Sequence, residues 1–215
     1  MSEAVKGSHP DPPADWKGRS LPITEYEHGW FRIYRLKHDP LFFSISNENR
    51  FDAPSEEFGV LYVAKDIQGS FIETLGRLPE NRTLERAEIA ARGLSMIVPK
   101  RPLLLVDLTG AGLARMGADA RLTTDIENTY ESPRRWSLSI HEHPSKPDGI
   151  VYLSRLDPSC FCAALFDRVK SELNVEKLGA LTESIHAELL GELLDRYDFA
   201  LRDPSPHGEP PAGPV

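Results

Sequence analysis

Glu73 is the side chain in this sequence best placed to do chemistry. It lies off the apolar stripe of Ile67, Phe71, Ile72, Leu75 and Leu78 on a short predicted helix. Its neighbours on the helix surface are Gly69, Ser70, Gly76 and Arg77, and the first three are small enough to leave room beside a carboxylate. Spacing alone does not make it catalytic, because a lone Glu on a helix is ordinarily a solvated charge. The strand predicted just before it, within residues 58 to 64, carries Tyr62, which by itself reads as sheet core. Asp66 stands between strand and helix as an N-cap. Arg32, Arg35 and Arg50, taken one at a time, read as surface ion pairs, and Ser154 has no distinguishing spacing of its own.

Three other patterns carry less. Thr109-Gly110-Ala111-Gly112 lacks the third glycine of a dinucleotide fingerprint and the Gly-Lys-Ser/Thr of a phosphate loop, so it reads as a close-packed turn. In His141-Glu142-His143 the two imidazoles point away from each other on a helix, which is poor for chelation and suits a solvated face. Cys160 and Cys162 fall on one face of a predicted strand and read as reduced core residues, so no metal site is expected.

The elements that must position these groups follow from periodicity. Strands are predicted at 30–36, 58–64, 95–98, 103–108, 150–154 and 161–166, the last two as a pair. Helices are predicted at 67–78, 83–92, 109–116 and 133–143. A longer one at 177–200 has an amphipathic stripe of Leu178, Leu181, Ile185, Leu189, Leu193 and Tyr197. Strands that follow one another without intervening helices argue an α+β fold with a compact mixed sheet. The 215 residues suit a single domain over 23–203, with a loose proline-rich arm at 1–22 and a disordered tail at 204–215. A net charge of −8 argues against a broad basic surface for nucleic acid, leaving Arg134-Arg135 as a local anion contact. No apolar run is long enough to span a bilayer and no secretory start is present, so a cytoplasmic protein is expected.

Taken in order, these residues resemble a known family. Trp30-Phe31-Arg32-Ile33-Tyr34-Arg35, Arg50-Phe51, Tyr62 in Val-Leu-Tyr-Val-Ala, Glu73 in Phe-Ile-Glu-Thr, and Asp148 to Arg155 with Ser154 resemble the RES domain, named for Arg, Glu and Ser. Leu104 to Gly110 and Gly117 to Thr123 also read like members, so the resemblance spans roughly residues 28 to 170. Either Arg32 or Arg35 fits the family's first Arg. The family's Gly-Gly-Arg-Trp-Asn form is replaced by Glu48-Asn49-Arg50-Phe51-Asp52, so the local loop differs.

The resemblance implies a core similar to that of ADP-ribosyltransferase toxins, with NAD as substrate in a cleft between sheets and no bound cofactor. It implies a bacterial toxin that depletes NAD, with phosphate, water or a protein side chain as acceptor, and a cognate antitoxin as partner. Transfer of ADP-ribose to one macromolecule and an inactive binding module are the alternatives, and homodimerisation is left open. In that setting Glu73 would stabilise the oxocarbenium-like charge on the ribose, as carboxylates do in glycoside hydrolysis. Arg32 (or Arg35) and Arg50 would grip the pyrophosphate, Tyr62 would stack on nicotinamide, and Ser154 would hold the ribose or orient Glu73.

Overall fold

The run Val60–Ala64 is apolar throughout because both faces of its strand are covered. Val60, Tyr62 and Ala64 face one core, with Phe51, Trp136, Ile150 and Phe166; Leu61 and Val63 face another, with Trp30, Ile97, Leu103 and Leu165. The computed structural model describes residues 9–77, 82–124 and 130–203, and the predicted tail at 204–215 lies outside them.

Within the described residues the chain forms β1 (Ile23–Tyr26), β2 (Trp30–Arg35), β3 (Val60–Ala64), α1 (Ile67–Leu75), β4 (Thr83–Glu85), α2 (Arg86–Ala90), β5 (Arg92–Pro99) and β6 (Leu103–Asp107). It continues with α3 (Ala111–Met116), α4 (Arg121–Thr124), α5 (Glu131–His141), β7 (Gly149–Leu153), β8 (Phe161–Phe166), β9 (Leu173–Ala180), α6 (Ala187–Arg196) and β10 (Ala200–Arg202). The main sheet has the order β1-β6-β7-β8-β3-β2-β5-β9, and β4 with β10 makes a small parallel pair. Within the main sheet only β6 and β7 run parallel, so their connection must cross over; it carries α3, α4 and α5 onto one face. The fold is α+β, as expected.

Asp66 caps α1 as expected, its Oδ1 accepting the Gly69 N–H at 2.6 Å. The Thr109–Gly112 stretch is the close-packed turn it resembles: a Cβ at Gly112 would lie 1.9 Å from the Asp107 carbonyl oxygen.

Three expectations need correction. The helix predicted at 177–200 is α6 alone, Ala187–Arg196, because Leu173–Ala180 forms an edge strand that satisfies the open side of β5. Gly179, at φ +103°, takes the left-handed backbone there. Of the predicted stripe, Leu181 and Leu193 are buried, but Ile185 is 78% exposed. The helix predicted at 83–92 shrinks to α2, since Thr83–Glu85 pairs with Ala200–Arg202 and Arg92 opens β5. The arm is not loose from His9 onward. Trp16 is buried edge-on against Trp136 at 4.7 Å, and Trp136 Nε1 and the Ser132 hydroxyl both donate to the Pro10 carbonyl.

Candidate functional site

β2 and β3 do not pair along their length. They meet at Phe31 and Ala64, and beyond that point β2 turns away toward β5. α1 fills the resulting gap: the Ser70 hydroxyl accepts the Ile33 N–H at 2.6 Å, a position a strand carbonyl would otherwise take. Below this wedge lies a cleft with about 470 Å³ of unfilled space, part of it open to solvent. Its walls come from β2 (Arg32), β3 (Tyr62), α1 (Glu73, Thr74), the turn that follows α1 (Arg77), β7 (Tyr152), β8 (Cys162) and the loop residue Asn49.

Glu73 is 14% exposed and both its oxygens are engaged. The Ser154 hydroxyl donates to Oε1 at 2.6 Å, and Arg77 Nη2 donates to Oε2 at 2.8 Å. Burial alone would raise the carboxyl's pKa, but the Arg77 charge, the Ser154 and Arg77 hydrogen bonds and the Arg50 charge outweigh it and hold it below the usual value. The group is therefore a fixed carboxylate, not a proton donor, at neutral pH. Ser154 is itself held: its hydroxyl accepts the N–H groups of Leu156 at 3.1 Å and Asp157 at 3.2 Å, which ties the turn after β7 to α1 through one oxygen.

The loop carrying Arg50 is organised by Asp52, which is fully buried. Its Oδ2 accepts from the N–H groups of Glu48 (3.1 Å) and Asn49 (2.9 Å) and from the Asn49 side chain (3.2 Å), while Oδ1 accepts the Tyr62 hydroxyl at 2.9 Å. Tyr62 in turn accepts the Phe51 N–H at 3.0 Å. Burial and the neighbouring Asp52 push the phenol's pKa well above normal, so Tyr62 serves as a neutral donor that fixes the loop while its ring lines the cleft. Arg77 Nη1 reaches Asn49 Oδ1 at 3.2 Å, and Arg134 Nε donates to the Asn49 carbonyl at 3.0 Å.

The two candidate arginines of β2 separate. Arg32 lines the cleft, with Nη1 donating to the carbonyls of Pro40 at 2.7 Å and Phe42 at 3.2 Å. Burial lowers its pKa to about 10, which leaves it cationic at neutral pH. Arg35 sits outside the cleft and pairs with Glu88 at 3.3 Å. Arg50 is buried beside Glu73, its guanidinium 5.3 Å from the centroid of the Tyr130 ring, in a second hollow shared with Arg77 and Arg155. The structure thus brings together Arg32, Arg50, Tyr62, Glu73 and Ser154 and leaves Arg35 apart.

The sequence reading missed Arg77, Asp52, Asn49 and Tyr152. Arg77 had a signal: it lies four residues after Glu73, the helix spacing that favours an ion pair in this orientation. One other expectation changes, and the reading of the cysteines as reduced core residues holds. His141 and His143 are not a solvated face: His141 stacks on Phe58 at 4.0 Å, and the buried His143 ring bonds to the Ser145 hydroxyl and the Arg19 carbonyl. Cys160 and Cys162 are free and buried, with Cys162 on the cleft wall. Among the described residues no His, Cys, Asp and Glu cluster could hold a metal, and no helix is long and apolar enough to cross a membrane.

These residues sit in a region with known relatives. Residues 30–186 match the family model described as the RES domain. A stretch of 117 residues is 36% identical to "Probable toxin y4kH" of Sinorhizobium fredii (strain NBRC 101917 / NGR234), covering 54% of this chain and 85% of that protein. Every cleft residue named above lies within the matched range, and so does the Glu73–Ser154 bond that joins its two halves. The chain belongs to the RES domain family.

Proposed function

We propose that this protein is a toxin of the toxin–antitoxin type that consumes NAD by cleaving the bond between nicotinamide and ribose. The observation that carries the reading is the state of Glu73: a carboxylate kept ionised by Arg77 and Ser154, facing a cleft that Arg32 and Tyr62 also line. The ribose C1′–N bond breaks with its electron pair leaving on nicotinamide, which departs neutral and needs no general acid. Positive charge develops on C1′, and a fixed anion beside it stabilises that transition state more than the ground state. The oxygen of water or phosphate then bonds to C1′ and gives up its proton to solvent.

Arg32 and Arg50 supply planar cations for the diphosphate. Tyr62 keeps the Arg50 loop in place through Asp52 and Phe51 and presents its ring to the nicotinamide. Membership of the RES family and the toxin name of the Sinorhizobium relative support the biological role, with an antitoxin as the natural partner.

The test is purified protein incubated with NAD, with and without phosphate, followed by product mass. Ribose 1-phosphate chemistry at the cleaved end appears only if phosphate is the acceptor. Glu73→Gln keeps the shape and removes the charge, so turnover should fall by about two orders of magnitude or more. A folded Glu73→Gln protein with near wild-type turnover overturns the assignment.

A further inference from the structure

Beyond residue 186, where the family match ends, the chain still reaches back to the candidate site. Tyr197, which caps the C-terminus of α6, makes the connection. Its ring lies nearly parallel to that of Phe71 on α1, with centroids 6.0 Å apart. Its hydroxyl donates to Asp157 Oδ2 at 2.9 Å, in the turn between β7 and β8. Tyr197 therefore touches both elements that the Glu73–Ser154 bond joins: α1 through its ring, the Ser154 turn through its oxygen.

That turn is tied closely within itself. The Ser154 N–H donates to the Cys160 carbonyl and the Cys160 N–H to the Asp157 carbonyl, both at 2.9 Å. Asp157 Oδ1 accepts the N–H and the hydroxyl of Ser159 at 3.1 and 2.6 Å. These bonds shape the turn, but none of them fixes it against α1. Two contacts link the Asp157 side chain to the end of α6. The Arg196 pair is 3.5 Å long and comes from a side chain 51% exposed, so it contributes little. The Tyr197 bond is shorter, and Tyr197 is itself pinned: its N–H donates to the Leu193 carbonyl and its carbonyl accepts from Arg82. The hydrogen bonds from Ser159, and after them the one from Tyr197, lower the Asp157 pKa to about 2. At neutral pH the Tyr197 hydroxyl thus donates to an anion, which strengthens the bond.

Asp157 matters to Glu73 through its backbone amide. That N–H and the one of Leu156 donate to the Ser154 oxygen, which leaves the hydroxyl proton for Glu73 Oε1. Displacing Asp157 frees the Ser154 hydroxyl to rotate away from the carboxylate.

We propose that Tyr197 is a positioning residue for Glu73, a brace between α1 and the Ser154 turn that keeps the serine proton on the carboxylate. This rests on the reading of Glu73 as the reacting carboxylate, and it gives the segment after the matched family range a part in the reaction.

Tyr197→Phe keeps the ring on Phe71 and removes only the hydroxyl. It is compared with wild type, with Ser154→Ala and with the double variant. Carbon-13 NMR of the Glu73 carboxyl should show its titration at higher pH in Tyr197→Phe than in wild type. In the Ser154→Ala background, adding Tyr197→Phe should move the titration no further, because the effect travels through the serine hydroxyl. General loosening of the fold would act equally in both backgrounds. That outcome, or an unchanged titration in the single variant, overturns the proposal.

The titrations need no turnover, so they decide the role of Tyr197 even if wild type does not cleave NAD, a result that would sink the NAD reading alone. On NAD, kcat should fall at least about tenfold in Tyr197→Phe, with KM within about twofold of wild type, since a misplaced carboxylate loses transition-state stabilisation and not substrate binding. Cleavage with an unchanged kcat, or with a rise in KM alone, overturns the positioning role.

Discussion

Replacing Ser154 with alanine separates the support of Glu73 from its chemistry. The Ser154 hydroxyl donates one hydrogen bond to an ionised carboxylate at 2.6 Å and accepts two from backbone amides at 3.1 and 3.2 Å. A hydrogen bond to a charged group contributes about 1.5–3 kcal/mol, and the two amides, in a partly exposed turn where water can replace the oxygen, about 1 kcal/mol together. Ser154→Ala should therefore cost about 3 kcal/mol at pH 7. The larger part belongs to the ionised form of Glu73.

The folded pKa of Glu73 is depressed, so its stabilisation is fully present above the unfolded value and is lost as pH falls through the folded one. Ser154→Ala raises that folded value. Urea unfolding of both proteins should show a gap of about 3 kcal/mol at pH 7 that narrows toward about 1 kcal/mol as pH falls through the depressed folded pKa of Glu73. Carbon-13 NMR should place the Glu73 titration higher in the variant. A gap that stays constant with pH, or a Glu73 titration that does not rise, refutes the idea that Ser154 holds the carboxylate ionised.

Other outcomes follow from the same contacts. Arg32→Lys should raise KM for NAD, since Lys cannot reproduce the planar fork, whereas Arg35→Lys should leave kinetics unchanged; loss of activity in Arg35→Lys alone would put the wrong face of β2 in the cleft. Leu193→Asp places a charge in the buried face of α6 and should unfold the protein by circular dichroism, while Ile185→Asp, at a position 78% exposed, should leave the melting curve within about 0.5 kcal/mol of wild type. Burial, with a smaller push from Arg168, lowers the His141 pKa to about 4, so the folded state resists protonating it. Stability should fall as pH drops from about 6.5 toward 4, and His141→Phe, which keeps the stack on Phe58, should flatten that slope.

The strand–helix unit at 60–75 was legible because its signals are local: a β-rich run, an Asp cap and a change of period. The site was legible only in part, since family motifs named Glu73, Arg50, Tyr62 and Ser154 but not what holds them. Arg32 and Arg35 are three apart on a strand and so point to opposite faces, and no local pattern says which face looks into the cleft. The helix was overextended to 177 because Leu178 and Leu181 fit a helical stripe, while the need that decided the matter, partners for the open edge of β5, is set by the main sheet. The arm escaped notice for a similar reason. One Trp16 docking edge-on against Trp136 leaves no periodicity to detect.

The single meeting point of β2 and β3 has a mechanical consequence. Where continuous sheet would lock the two walls of the cleft at a fixed separation, here a serine side chain stands in for a strand. The walls are thus joined as by a hinge with its pin at Phe31 and Ala64, and α1 acts as the spacer that sets the gape. A ligand that drew Arg32 and Glu73 together would have to do so against the Ile33–Ser70 bond that already joins β2 to α1. Deuterium uptake at the Ile33 amide, slowed by a bound substrate, is where that motion would be read.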